Sequence, residues 1–200
     1  MLTRVMHRIS AVISIILIAP MAPAIAAPNY TFPVKGCEVN YSRSHHDYPA
    51  SDILAKKGCL FVAPTSGVVD EISPVDEYSW QNNSGEFRGG ISVSMIGDDG
   101  VRYYGSHFKK IFPEIVKGYR VEVGDRLARV GTSGDAGGLA PHVHFGISWP
   151  TKEKIWWVRR GEIYPWKYLD AWRAGKDLSP AKEVFAKLKK VGRVPERSGY

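Results

Sequence analysis

The chain has 200 residues, 44% of them hydrophobic and 24% charged, an ordinary globular composition of a size that suits one domain. Past the first 27 residues no stretch is apolar enough for a membrane-spanning helix, which excludes stable membrane insertion of the mature chain. The formal charge of +7 falls to +5 without Arg4 and Arg8, so a moderately basic surface should draw the protein towards anionic polymers without choosing among them.

The first residues read as a leader. Arg4 and Arg8 give a positive start, residues 9–19 an apolar run too short to cross a bilayer, and Ala24-Ile25-Ala26 a small-x-small cleavage signature after Pro20 and Pro23. The expected layout is a signal peptide over 1–26, a main domain over 27–175 and a basic C-terminal helix and tail over 176–200, with the mature protein exported. Export places Cys37 and Cys59 in an oxidising compartment, where a disulfide is favoured. The loop it would close holds His45, His46 and Asp52.

Residues 31–52 are rich in turn formers and predict an ordered loop. From Leu60 the pattern becomes β. Strands are expected over 60–63 and 68–72. After a polar loop at 74–90, residues 91–96 alternate with period two and predict a half-buried strand. Gly97-Asp98-Asp99-Gly100 is a hairpin turn, and the strand returning over 101–105 delivers His107 just past its end. Residues 112–117 suggest a helical turn, 126–130 a strand, 131–140 a flexible glycine-rich loop and 142–148 the last strand. Many short strands with glycine turns predict a mainly β fold, an antiparallel β-sandwich or partly open barrel, followed by C-terminal helices.

Trp149 to Trp172 holds five of the six tryptophans, which suit packing more than a carbohydrate platform. A helix is expected over 164–174, opened by Pro165. A second follows Ser179-Pro180, with Ala181, Val184, Leu188 and Val191 on one face and lysines over the rest.

The chemistry sits in three segments that carry five of the six histidines: Ser44 to Asp52, Tyr103 to His107, and Pro141 to Gly146. In a strand, His142 and His144 point to one face while Val143 and Phe145 point to the other. An irregular loop can bring His45 or His46 together with Asp52, which lies at a loop-to-β transition. Two histidines and a carboxylate make the ligand set of a hydrolytic zinc site with an open fourth position.

These segments resemble the lysostaphin-type, LytM-like zinc endopeptidases of bacterial cell walls. The likeness rests on His45 to Asp52, on the stretch ending Ala63-Pro64-Thr65-Ser66-Gly67-Val68-Val69, on Tyr103 to His107, and on Gly131-Thr132-Ser133-Gly134 running into Pro141-His142-Val143-His144-Phe145, all in that family's order. It implies Zn2+ as cofactor, with His144, Asp52 and an upstream histidine as ligands. It implies His107 and His142 as the catalytic pair that orients or deprotonates the attacking water. Peptidoglycan peptides, cross-links or stems, rather than nucleic acid, are the implied partner, and a secreted, periplasmic or wall-associated location follows.

The chain departs from the family pattern upstream. That pattern places a histidine four positions before the aspartate, where this chain has Tyr48. A wider spacing selects His45, with His46 as the alternative. Two rival functions predict different behaviour: a metal-free LytM-like regulator that activates separate wall amidases, and a carbohydrate-binding module built on the tryptophans.

Overall fold

The structure, a computed structural model, describes residues 29–197. The expected leader lies outside the described residues. Among the described residues eleven strands form two antiparallel sheets. The smaller has the order β1 (Val34–Lys35), β4 (Leu60–Val62), β10 (Arg126–Val130), β8 (Phe108–Ile111). The larger runs β2 (Val39–Tyr41), β3 (Ser51–Ala55), β11 (His142–Ser148), β7 (Arg102–Ser106), β6 (Ser92–Gly97), β5 (Gly67–Ser73), β9 (Arg120–Val121). The sheets stay open rather than closing into a barrel.

The core lies between the sheets. Phe61 of β4 meets Phe108 of β8 at 4.8 Å and Phe145 of β11 at 6.3 Å between ring centroids. Alternation decides which face of β11 enters it: Val143, Phe145 and Ile147 are fully buried among apolar side chains, leaving His142 and His144 for the opposite face. Three helices follow, α1 (Trp156–Arg159), α2 (Trp166–Arg173) and α3 (Ala181–Val191). Trp172 of α2 stacks on Tyr30 and reaches Tyr103 and Phe145. Helix α3, in the segment expected as a basic C-terminal helix and tail, docks on the rest of the protein through the fully buried Val184. Its first turn is held by Ser179, whose hydroxyl accepts from the Ala181 amide at 3.2 Å. Among the described residues no helix is long and apolar enough to cross a membrane.

Two expectations change. Residues 31–52 are not a continuous loop, because β1, β2 and the start of β3 fall within them. Their polar composition hides strands that exist because partners are present, β3 being clamped between β2 and β11. Residues 112–117 make a turn closed by the Ile115 amide on the Phe112 carbonyl, not a helix.

Cys37 and Cys59 are bonded, with Cα atoms 6.0 Å apart. The bridge spans 22 positions in sequence and encloses the segment carrying His45, His46 and Asp52. Loop-closure entropy of this size stabilises a fold by ~3 kcal/mol. Replacing both cysteines with serine should lower the unfolding free energy by about that amount in urea titrations; an unchanged midpoint would show that the loop is held by its other contacts alone.

Candidate metal centre

The antiparallel register builds the site. On one side of β11, His144 lies opposite Asp52 of β3; on the other, it lies opposite Ser106 of β7. Cross-strand partners on one face are close enough for their side chains to meet, and His144 Nδ1 stands 3.1 Å from Asp52 Oδ1. His107 comes immediately after Ser106, so the same register brings it to His142, with ring centroids 4.8 Å apart. His45 descends from the disulfide-enclosed loop. Its Nε2 is 3.9 Å from Asp52 Oδ2, and its ring is edge-on to His144 at 5.0 Å.

His45, Asp52 and His144 each offer a ligand atom within 4.8 Å of the other two. His46 is not drawn in with them. It is exposed, stacks on His45 at 4.1 Å and pairs with Asp47 at 2.7 Å. The wider spacing anticipated from sequence therefore corresponds to His45.

The donor set fits a divalent cation. His144 donates from Nε2 to the Arg160 carbonyl at 2.9 Å, so its Nδ1 carries a lone pair in the neutral ring. That lone pair faces a carboxylate oxygen, and two acceptors so close call for a cation or a proton between them. The His45 Nδ1 is buried with no hydrogen-bond partner, an orphan of the kind that calls for an explanation. Burial, with the nearby His144, pushes His45 down from 6.5 to about 4 and keeps it neutral. Burial also works against the Asp52 carboxylate, but when a proton takes the cation's place on His144 Nδ1, its hydrogen bond and charge outweigh burial and hold Asp52 well below the usual range.

Gly146 makes the His144 lock possible. A Cβ there would lie 2.2 Å from the Arg160 carbonyl oxygen, the same atom that accepts from His144. Outer partners of metal-binding histidines are typically worth 10–100-fold in affinity.

The second pair is fixed in the same way. His142 donates from Nδ1 to the Ala140 carbonyl and His107 from Nδ1 to the Ser133 carbonyl, each at 2.9 Å. Each therefore leaves Nε2 as the nitrogen available to the cleft that both residues line. Burial, reinforced by His144 and His142, lowers His107 from 6.5 to about 3. His107 is also the one non-glycine residue at positive φ, 64°, among the described residues. A left-handed residue costs roughly 1–2 kcal/mol, and such strain persists where surroundings dictate it. Here the His107 amide is tied to the Gly89 carbonyl and the Phe108 amide to the Ile91 carbonyl, at 3.0 Å each.

Several cleft residues had no sequence signal. Tyr48 packs on His45 at 4.5 Å and His144 at 5.6 Å, and Arg160 lies over the Tyr48 ring with Cζ 3.7 Å from its centroid. Trp156, Arg88 and Asp135 complete the walls. Gly85, in the loop at 74–90, lies so near the Trp156 indole that a Cβ there would come within 2.1 Å of it. The tyrosine at position 48 was visible as a departure from pattern, and that departure was the one available clue.

Solved structures with the same fold are known. A LytM-type protein from Ruminococcus gnavus, assigned as a glycyl-glycine endopeptidase, superposes with a TM-score of 0.55 at 21% identity, over 74% of this chain and 62% of that one. The antimicrobial peptidase lysostaphin from Staphylococcus simulans gives 0.53 at 19% identity, over 76% of this chain and 58% of that one. This chain has the lysostaphin-type fold. A peptidase M23 structure from Pseudomonas aeruginosa agrees, at 0.52 and 22% identity over 76% and 54% of the two chains. The chain thus spans little more than half the length of these relatives. No protein-family model and no curated protein sequence matches it.

Two outcomes follow from this geometry. Gly146→Ala should weaken Zn2+ binding by roughly 10–100-fold in competition with a chelator while the chain stays folded; unchanged affinity would mean the Arg160 carbonyl does not hold His144. His45 and His107 bind protons less readily folded than unfolded, so their contribution to stability is complete above pH 6.5 and is lost as pH falls towards about 4 for His45 and about 3 for His107. The melting temperature of the metal-free protein should fall across that window, less steeply in His107→Asn, which tolerates the left-handed backbone. Identical slopes in the two proteins would remove His107 from the account.

Proposed function

We propose that this protein is an exported, zinc-dependent endopeptidase that hydrolyses peptide bonds of peptidoglycan, in cross-links or stems. The observation that carries the reading is the convergence of His45, Asp52 and His144 on one point, beside a second histidine pair whose free nitrogens serve the same cleft. His45, Asp52 and His144 would hold the ion, leaving a position open. When bound, zinc supplies a Lewis acid that polarises a carbonyl and lowers the pKa of water towards ~7.

The chain's own residues do the rest. His142 and His107 present Nε2 as an acceptor, held in one tautomer by backbone carbonyls. Either can take a proton from the attacking water and, once protonated, donate to the oxyanion that develops at the substrate carbonyl. The low pKa of His107 keeps it neutral, so its Nε2 lone pair stays free at neutral pH. His46, outside the cluster and paired with Asp47, is assigned no role as a ligand.

Export draws support from the leader pattern and from the Cys37–Cys59 bridge, which suits an oxidising compartment. The peptidoglycan substrate draws on the fold relatives, two of which carry wall-peptidase names: glycyl-glycine endopeptidase and lysostaphin. The intact ligand set speaks against the metal-free regulator.

Zinc analysis and release of soluble fragments from purified peptidoglycan test the reading together. The wild-type chain should bind one Zn2+ and release peptide fragments. His144→Ala should lose both metal and activity. His142→Ala should keep the metal and lose activity by roughly 100-fold or more, and His46→Ala should keep both. No zinc and no fragment release from the wild type would refute the proposal in favour of the regulator.

A further inference from the structure

Register lays out the outer face of the smaller sheet. Its inner positions, Val34, Phe61 and Ala128, pair across β1, β4 and β10 and are buried against the larger sheet. The positions beside them turn the other way: Lys35 pairs with Leu60, Leu60 with Arg129, and Arg129 with Lys110 of β8. Lys35, Arg129 and Lys110 therefore stand in one row across four strands, each about 4.7–4.9 Å from the next. Arg126 joins them. Its Cζ lies 4.8 Å from the centroid of the Phe112 ring, which also has the Arg129 Cζ at 5.5 Å and the Lys110 Nζ at 6.0 Å. This face looks away from the metal centre, because His142 and His144 occupy the outer side of the larger sheet.

Like charges directly opposite each other on neighbouring strands destabilise a sheet, and Lys110 and Arg129 are such a pair. The Phe112 ring offsets part of that cost. Carboxylates offset little of it. Among the described residues, Glu114, 3.7 Å from Arg126, is the one that pairs with any cation of this group. Lys35 and Arg129 donate to neutral acceptors instead, the Thr31 hydroxyl at 2.6 Å and the Gly58 carbonyl at 2.7 Å. On other elements the matching is different: Arg102, Arg120, Lys167 and Lys187 each meet a carboxylate, of Asp70, Asp98, Glu183 and Glu162. Among the described residues, none of the exposed large apolar side chains belongs to β1, β4, β8 or β10. The face therefore offers charge with no wedge to enter a lipid layer, which favours a hydrated polyanion over a membrane.

We propose that the outer face of the smaller sheet is a docking surface for intact peptidoglycan, recognised through the free carboxylates of its peptides. The inference rests on the peptidoglycan reading above for its partner, but not for its geometry. Face and cleft look in opposite directions, so the face holds a second strand of the mesh while the cleft works on the first. It lengthens residence on the polymer and takes no part in the chemistry.

Sedimentation with purified, intact peptidoglycan tests it, in the His142→Ala background so that the polymer is not consumed. The chain should bind, and binding should weaken as salt rises. Lys35→Gln, Lys110→Gln and Arg126→Gln combined, all at exposed positions, should weaken binding roughly tenfold or more and flatten its salt dependence. Amidating the polymer's carboxylates should cause a similar loss. Removing as many charges from exposed positions of α3, by Lys182→Gln, Lys189→Gln and Lys190→Gln, should change binding by less than about twofold. Equal losses from the two triple variants would reduce the effect to net charge and overturn the docking face. So would full binding by the sheet variant or to the amidated polymer, no binding at all, or tighter binding to phosphatidylglycerol vesicles than to peptidoglycan. Fragment release by the chain with His142 intact is the separate readout for the peptidase: its absence alongside binding that depends on this face would sink the peptidase and leave the docking surface standing.

Discussion

One strand register governs this molecule. β11 lies between β3 and β7, and the pairing of His144 with Asp52 on one flank and Ser106 on the other decides which groups share the cleft. A slip of one residue along either neighbour would send Asp52 or Ser106 to the core face. The slip is resisted because the alternate residues, Val143, Phe145 and Ile147, are completely buried between the sheets. Exposing even one such side chain costs about 1.5–3 kcal/mol. Hydrophobic alternation on the inner face thus positions polar chemistry on the outer one.

Backbone carbonyls then do what side chains do in many metal sites. His144, His142 and His107 each hand a ring proton to a carbonyl, those of Arg160, Ala140 and Ser133. A carbonyl cannot change its protonation state, so each neutral ring is held in one tautomer. The arrangement demands close approach of the backbone, which is where Gly146 enters, and it tolerates a left-handed histidine at 107. Neutral, buried imidazoles such as His45 and His107, with a low affinity for protons, are poor at surviving acid but keep their lone pairs free for a divalent ion at neutral pH.

Much of this was legible in the chain itself. Period-two alternation gave the strands at 91–96 and 142–148, and the i, i+2 spacing of His142 and His144 put them on one face. The cysteine pair was readable from compartment alone. Strands β1, β2, β3, β8 and β9 were not, because they are short and polar and owe their existence to neighbours far away in sequence. The wider spacing to Asp52 favoured His45 over His46, but the physical reason for the choice was beyond local pattern. Adjacent residues on a loop are equivalent until the fold orients them, and here stacking sends one inward and leaves the other to Asp47. Tyr48 showed only as a departure from pattern, and Arg160 and Trp156 lacked any signal, because aromatic–cation walls carry no spacing rule.

That contrast separates two kinds of positioning. The candidate ligands Asp52 and His144, with His142, sit on sheet, where register fixes them. The wall opposite is made from a loop and a one-turn helix with the residue after it: Tyr48, Trp156 and Arg160. Loops and tails carry binding determinants that change without disturbing a scaffold. The Arg159–Glu71 pair ties that wall to the sheet, and Arg102, paired with Asp70 within the sheet, reaches the chain that leads into it. Arg102, on β7, also donates to the Thr151 hydroxyl and carbonyl at 2.9 Å each, and so ties the segment leading into α1 back to the catalytic sheet.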